Sequence, residues 1–161
     1  VIDALEKEIQ AAGISVRVEA NHHECGGKKD LYLSKSGCHG FCQQGPLVTI
    51  MPENILYVKV KPEDAKEIVE KTLKNGEVID RLLFVEPGSG KHSRNAEEIT
   101  FYKLQHRESL KQCGHVNPED VREYIALGGY EGAKKAICEM TSEAVCQEVL
   151  DSGLRGWFPN R

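Results

Sequence analysis

Apolar residues recur at spacings of three and four at the start of the chain, where Ile2, Leu5 and Ile9 form one stripe. That period predicts an amphipathic helix ending near Gly13. The period then changes to two. Ile14, Val16 and Val18 alternate with polar neighbours, so residues 14–20 read as a half-buried strand. "NHHECGGKKD" follows as a polar loop, "LYLS" as a short strand, and "GCHGFCQQGP" as a second loop rich in glycine. The apolar runs "PLVTIM" and "ILYVKV" flank Pro52, Glu53 and Asn54, which predicts a hairpin.

"KPEDAKEIVEKTLKNG" carries its own helix punctuation. Pro62 suits the first turn, and Glu63 and Asp64 complement the positive end of the helix dipole. Ala65, Ile68, Val69 and Thr72 line one face, and Gly76 can end the helix. Residues 1–84 therefore read as a small α/β layer. Residues 85–99, with "PGSGKHSRN" at their centre, have the composition of a linker. From residue 100 to 161 the periods are helical, in "NPEDVREYIAL", "YEGAKKAICEM" and "TSEAVCQEVLDSG".

Composition narrows the function classes. Twenty-one basic against 25 acidic residues give a net charge of −4, which does not favour a nucleic-acid footprint. No apolar run approaches the roughly 18 residues of a membrane span, and no signal-peptide pattern opens the sequence. A cytoplasmic location and no membrane insertion are the expectation.

The cysteines carry the chemistry. In a reducing compartment close Cys pairs are more often metal ligands or redox thiols than bridges. Cys38 and Cys42 lie four apart in a loop where Gly37, Gly40 and Gly45 let the backbone approach a bound group and aim N–H donors at it. Thiolates suit zinc, copper(I) or iron–sulfur clusters. A C-x-x-x-C pair alone does not choose among them. Cys113, Cys138 and Cys146 sit singly and read as small core residues, and His39 reads as exposed beside the loop. No acid, base or nucleophile constellation is visible.

"GCHGFCQQGPLVTIMPENILYVKVKPEDAKEIVEKTLKNGEVIDRLLF" resembles the second half of a thioredoxin-like [2Fe–2S] ferredoxin domain. More narrowly, it resembles the version fused to the flavin subunit of NADH-dependent and electron-bifurcating hydrogenases. "FYKLQHRESLKQCGHVNPEDVREYIALGGYEGAKKAICEMTSEAVCQEVLDSGLRG" is similar to the start of the flavin domain of the NADH-oxidising subunit of complex I and its relatives.

The resemblance implies a thioredoxin-like ferredoxin domain followed by a helical segment of an incomplete FMN-binding domain. It implies a [2Fe–2S] cluster, FMN and NADH in the full-length subunit, and room for a further iron–sulfur cluster. The implied partners are other redox subunits of a multi-subunit complex, among them a second thioredoxin-like [2Fe–2S] subunit. In that family four cysteines hold the cluster, the first pair ahead of the helix that opens this sequence; Cys38 and Cys42 match the second pair. Two thiolates cannot close such a site. Cys25, in a loop that the family pattern does not place, is a further candidate ligand. After "GLRG" the family continues into a glycine-rich flavin loop, so Arg155 and Gly156 are the positions placed nearest FMN. Here Trp157, Phe158 and Pro159 follow instead, and this stretch alone is expected to bind neither FMN nor NADH. Two alternatives stay open. One is a structural zinc module built from His22, His23, Cys25, Cys38 and Cys42. The other is a metal-free docking domain.

Overall fold

The structure is a computed structural model that describes residues 1–18, 31–108 and 110–155. It divides into two units, Val1–Asn117 and Pro118–Arg161. Helix α1, Ile2–Ala11, opens the first and buries Leu5 and Ile9. It stops where Gly13 adopts φ 71°, a left-handed conformation that favours glycine. Strand β1, Val16–Val18, then runs parallel to β2, Leu31–Leu33, with Val16 opposite Leu31. Strands β3, Val48–Ile50, and β4, Ile55–Tyr57, form the antiparallel hairpin expected of the two apolar runs. Asn54 takes φ 51° in its turn, a backbone region that Asn tolerates better than most residues.

A helical segment follows in three stages: a 3₁₀ turn at Pro62–Asp64, α2 at Ala65–Glu67, and a π-helical stretch at Ile68–Lys74. Its entry is fixed by the Lys61 N–H, which donates to Asp64 Oδ2 at 2.8 Å. Its exit turns at Gly76, with φ 70° and an N–H donated to the Thr72 carbonyl. The face expected from periodicity is the buried one: Ala65, Ile68, Val69 and Thr72 are all inside.

Strand β4 organises the unit because both of its faces are covered. Ile55 and Tyr57 point into one core with Leu5, Ile9, Ile68 and Val69. Leu56 and, just beyond the strand, Val58 point into a second core with Phe84 and Ile99. This is the period-two alternation of a strand buried between two layers.

The second core changes the reading of residues 85–99. They do not form an open linker. Strand β5, Phe84–Val85, pairs antiparallel with β6, His92–Ser93. A 3₁₀ turn at Ala96–Glu98 follows, capped by the Asn95 side chain, which accepts from the Glu98 N–H at 3.0 Å. Helix α3, Thr100–Lys103, comes next. The Leu56 N–H donates to the Arg94 carbonyl at 2.8 Å, and Ile99 is wholly buried. The Pro-Gly-Ser composition belongs to the hairpin turn, while Phe84 and Ile99 at its two ends cover apolar surface that β4 would otherwise expose.

The second unit holds α4, Val121–Ala126, α5, Glu131–Glu139, and α6, Ser142–Asp151. Asp120 and Thr141 cap α4 and α6 by accepting from the N–H groups of Arg122 and Ala144. Lys135 on α5 reaches Glu148 on α6 at 3.0 Å. Gly129 has no room for a side chain, since a Cβ there would lie 2.4 Å from the Tyr124 carbonyl oxygen. Among the described residues of this unit none is buried. Cys138 and Cys146 are exposed on α5 and α6, contrary to the expectation that they serve as core. Among the described residues no helix is long and apolar enough to cross a membrane.

Candidate metal centre

The loop that carries Cys38 and Cys42 spans residues 34–47, between β2 and β3. Both thiols are free and exposed. Gly40, with φ 75°, turns the backbone so that its own N–H donates to Cys38 Sγ at 3.3 Å. A residue with a side chain would be strained in that conformation. Cys42 then opens a 3₁₀ turn, Cys42–Gln44. The glycine-rich sequence suggested that N–H groups from Gly40 to Gly45 would face sulfur, and only part of that holds. Gly40 does so. The N–H groups of Gln44 and Gly45 are spent inside the turn, on the carbonyls of Phe41 and Cys42.

The loop is held from three sides. Beyond β4, the N–H groups of Lys59 and Val60 donate to the carbonyls of Gln44 and Pro46 at 2.8 and 3.0 Å. Between the cysteines, Phe41 turns inward to the second core. Its ring meets Phe84 edge-on at 5.1 Å, stacks on Phe101 at 5.1 Å and meets Tyr102 edge-on at 5.3 Å. From residues 107–116 come the remaining restraints. The Gly37 N–H donates to the Val116 carbonyl at 3.2 Å. The Arg107 guanidinium donates to the His39 carbonyl and lies 5.2 Å over the Tyr102 ring.

His39 is not simply exposed beside the loop. Its ring is half-buried, 3.2 Å from Ser36 Oγ, and so close to Gly114 that a Cβ there would come within 2.8 Å of it. Burial, reinforced by the charges of His115 and Arg107, holds its pKa below 6.5. Burial likewise pushes the Tyr102 hydroxyl above its ordinary value; the Arg107 charge opposes the rise and Cys38 adds to it. Cys113 is half-buried, with its Cα 3.7 Å from where a Gly37 Cβ would lie.

Of the other residues singled out by sequence, Cys25, His22, His23, Gly156, Trp157 and Phe158 lie outside the described residues. Arg155 is exposed in the second unit, beyond α6. Among the described residues no group of three or more His, Cys, Asp or Glu is gathered as a metal site. Sequence reasoning missed Tyr102, Arg107 and Gly114 as neighbours of the cysteine loop. For Tyr102 and Arg107 the signal is the aromatic and basic character of "FYKLQHR", which does not reveal a partner more than sixty residues away, and Gly114 carries no local signal of its contact with His39.

The donor set fits an iron–sulfur group in kind. Two accessible thiols lie on one glycine-shaped loop, with an N–H already directed at one sulfur, and together they would supply two of the four thiolates that such a group takes.

No family model matches the chain. It is 43% identical over 53 residues to a 2Fe–2S ferredoxin from Clostridium pasteurianum, covering 33% of this chain and 52% of the ferredoxin. It is 47% identical over 51 residues to a 2Fe–2S ferredoxin from Aquifex aeolicus, covering 32% and 46%. A third relative is the NADP-reducing hydrogenase subunit HndC of Solidesulfovibrio fructosivorans, 46% identical over 57 residues, or 35% of this chain and 11% of that one. A crystal structure of the thioredoxin-like [2Fe–2S] ferredoxin from Aquifex aeolicus aligns at 32% identity and a TM-score of 0.39, over 53% of this chain and 71% of that one. About a third of this α/β chain is thus similar to 2Fe–2S ferredoxins, and the chain spans about half the length of the two curated ferredoxins it matches.

Proposed function

We propose that Cys38 and Cys42 supply two of the thiolates of a [2Fe–2S] cluster, and that this chain is an electron-transfer part of an iron–sulfur oxidoreductase. The observation that carries the reading is the Gly40 N–H donated to Cys38 Sγ, on a loop where Cys42 is also exposed. When bound, such a cluster supplies a one-electron couple whose potential depends on charge, N–H bonds to sulfur and burial. Gly40 withdraws electron density from the Cys38 sulfur and so favours the more negative, reduced state. Phe41 shields one side of the loop from water through its contacts with Phe84 and Tyr102.

In the finer reading, an FMN bound in the same full-length subunit would, in its oxidised form, accept a hydride from NADH and, once reduced, supply the two electrons one at a time to iron–sulfur subunits of a multi-subunit complex. Residues 1–84 form the ferredoxin-like part, and residues 100–161 begin the NADH- and FMN-binding part, with Arg155 and Gly156 at the flavin loop. The similarity to a subunit of an NADP-reducing hydrogenase supports an assembly of this kind. Cys25 is the candidate for a further ligand.

The test is iron and acid-labile sulfide per chain in the anaerobically purified full-length protein. About two of each, lost in Cys38→Ser and Cys42→Ser, is the expected result. One zinc and no iron, under conditions that load other clusters, would replace this reading with the zinc module. No metal at all would leave a docking domain.

A further inference from the structure

Arg107 lies outside the α/β layer, yet its guanidinium reaches the middle of the cysteine loop. It donates to the His39 carbonyl, between the two cysteines. Its Nη2 lies 3.2 Å from where a Gly40 Cβ would be, and the Gly40 N–H is the one directed at Cys38 Sγ. The head group also rests 5.2 Å over the Tyr102 ring, and Tyr102 packs edge-on against Phe41 of the same loop. A guanidinium held by a carbonyl and an aromatic face keeps its position and is always charged. Glycine at position 40 serves two purposes here: it permits the left-handed turn and leaves space for Arg107 against the backbone.

We infer that Arg107 is a tuning residue for the group held by Cys38 and Cys42, its fixed positive charge raising the reduction potential of that group. The inference rests on the cluster reading and goes beyond it, because it assigns control of the site to a segment outside the ferredoxin-like layer. The balance is simple. One electron from an added low-potential reductant increases the negative charge of the site by one; no bond breaks and no proton is needed. A cation beside the loop stabilises the reduced form more than the oxidised form. Arg107 would also hold the loop in place through His39, but a merely structural role predicts no dependence on charge.

The experiment is a redox titration, followed by EPR, of full-length wild-type protein and of R107Q and R107K, with iron content measured on each. With iron retained, R107Q should lower the reduced-to-oxidised ratio at a fixed poise by up to about tenfold, equivalent to about 59 mV for one electron. R107K, which keeps the charge and loses the planar fork, should recover most of the shift. An iron-loaded R107Q that titrates with wild type overturns the inference. If R107Q does not hold iron, R107M, which keeps the stem against Tyr102, takes its place. Loss of iron in R107Q, R107M and R107K alike, the last of which keeps the charge and loses the planar fork, also overturns the tuning role, leaving a structural one. An iron-free wild type would instead contradict the cluster reading itself.

Discussion

Phe41, between the two cysteines, meets Phe84 of β5 edge-on at a centroid distance of 5.1 Å. That contact ties the candidate metal loop to the core on the second face of β4. Phe41→Ala should therefore weaken the fold and the loop together. Truncation of a core Phe costs about 3–5 kcal/mol, and a half-buried ring falls near the lower end, about 3 kcal/mol. Urea unfolding checks it, and a change under about 0.5 kcal/mol would show that the aromatic contacts do not bear on stability. Phe41→Leu should recover much of the loss.

Tyr57 predicts a different kind of sensitivity. Its hydroxyl accepts from the Ile79 N–H at 3.0 Å and lies 2.7 Å from Thr72 Oγ1. The Thr72 hydroxyl donates to the Glu77 carbonyl at 2.9 Å, so Tyr57 is the donor to Thr72. Tyr57→Phe leaves the Ile79 N–H without its partner in the core and should cost about 1–3 kcal/mol. Thermal unfolding with unchanged helical circular dichroism would confirm a local loss. An unchanged midpoint would mean that water replaces the hydroxyl.

Acid should act through Glu67. Its pKa is held below 4.5 first by the hydrogen bond from Lys71 and then by Arg81. Arg81 also pairs with Asp64 at 2.9 Å. A carboxylate whose folded pKa is depressed adds stability above its unfolded value, here 4.5, and loses it as pH falls through the folded value. The melting temperature should therefore fall more steeply with acidification below this range in wild type than in Glu67→Gln. Parallel profiles would assign the acid limb to other groups.

In the second unit, Gly129→Ala brings a Cβ to within 2.4 Å of the Tyr124 carbonyl oxygen. The turn between α4 and α5 must open, which separates the Tyr124 and Tyr130 rings now 5.0 Å apart. A cost of about 1–3 kcal/mol is expected for overpacking of this kind. Tyrosine fluorescence and helical content report on it, and an unperturbed spectrum would contradict the tight turn.

The elements of the α/β layer were legible because local signals agreed with one another. Gly13 and Gly76 ended their helices, and the "VTI" and "ILY" runs paired as the hairpin around Asn54. The second layer was not legible from composition alone, although "ILYVKV" held the clue: Leu56 and Val58 cannot be apolar on the far face of β4 without something to cover them. The cover comes from Phe84 and Ile99, which bracket a hairpin whose turn has the composition of a linker. The two cysteines could be read from spacing and glycines. Arg107 and Tyr102 could not, since their role depends on tertiary contacts across more than sixty residues and no local period marks them.

The most direct test of the central claim is an EPR spectrum of the dithionite-reduced, full-length protein beside Cys38→Ser and Cys42→Ser. A one-electron [2Fe–2S] signal in wild type that both substitutions abolish is the predicted result. A silent wild type, or a signal that survives both substitutions, would contradict the assignment of these thiols to the cluster.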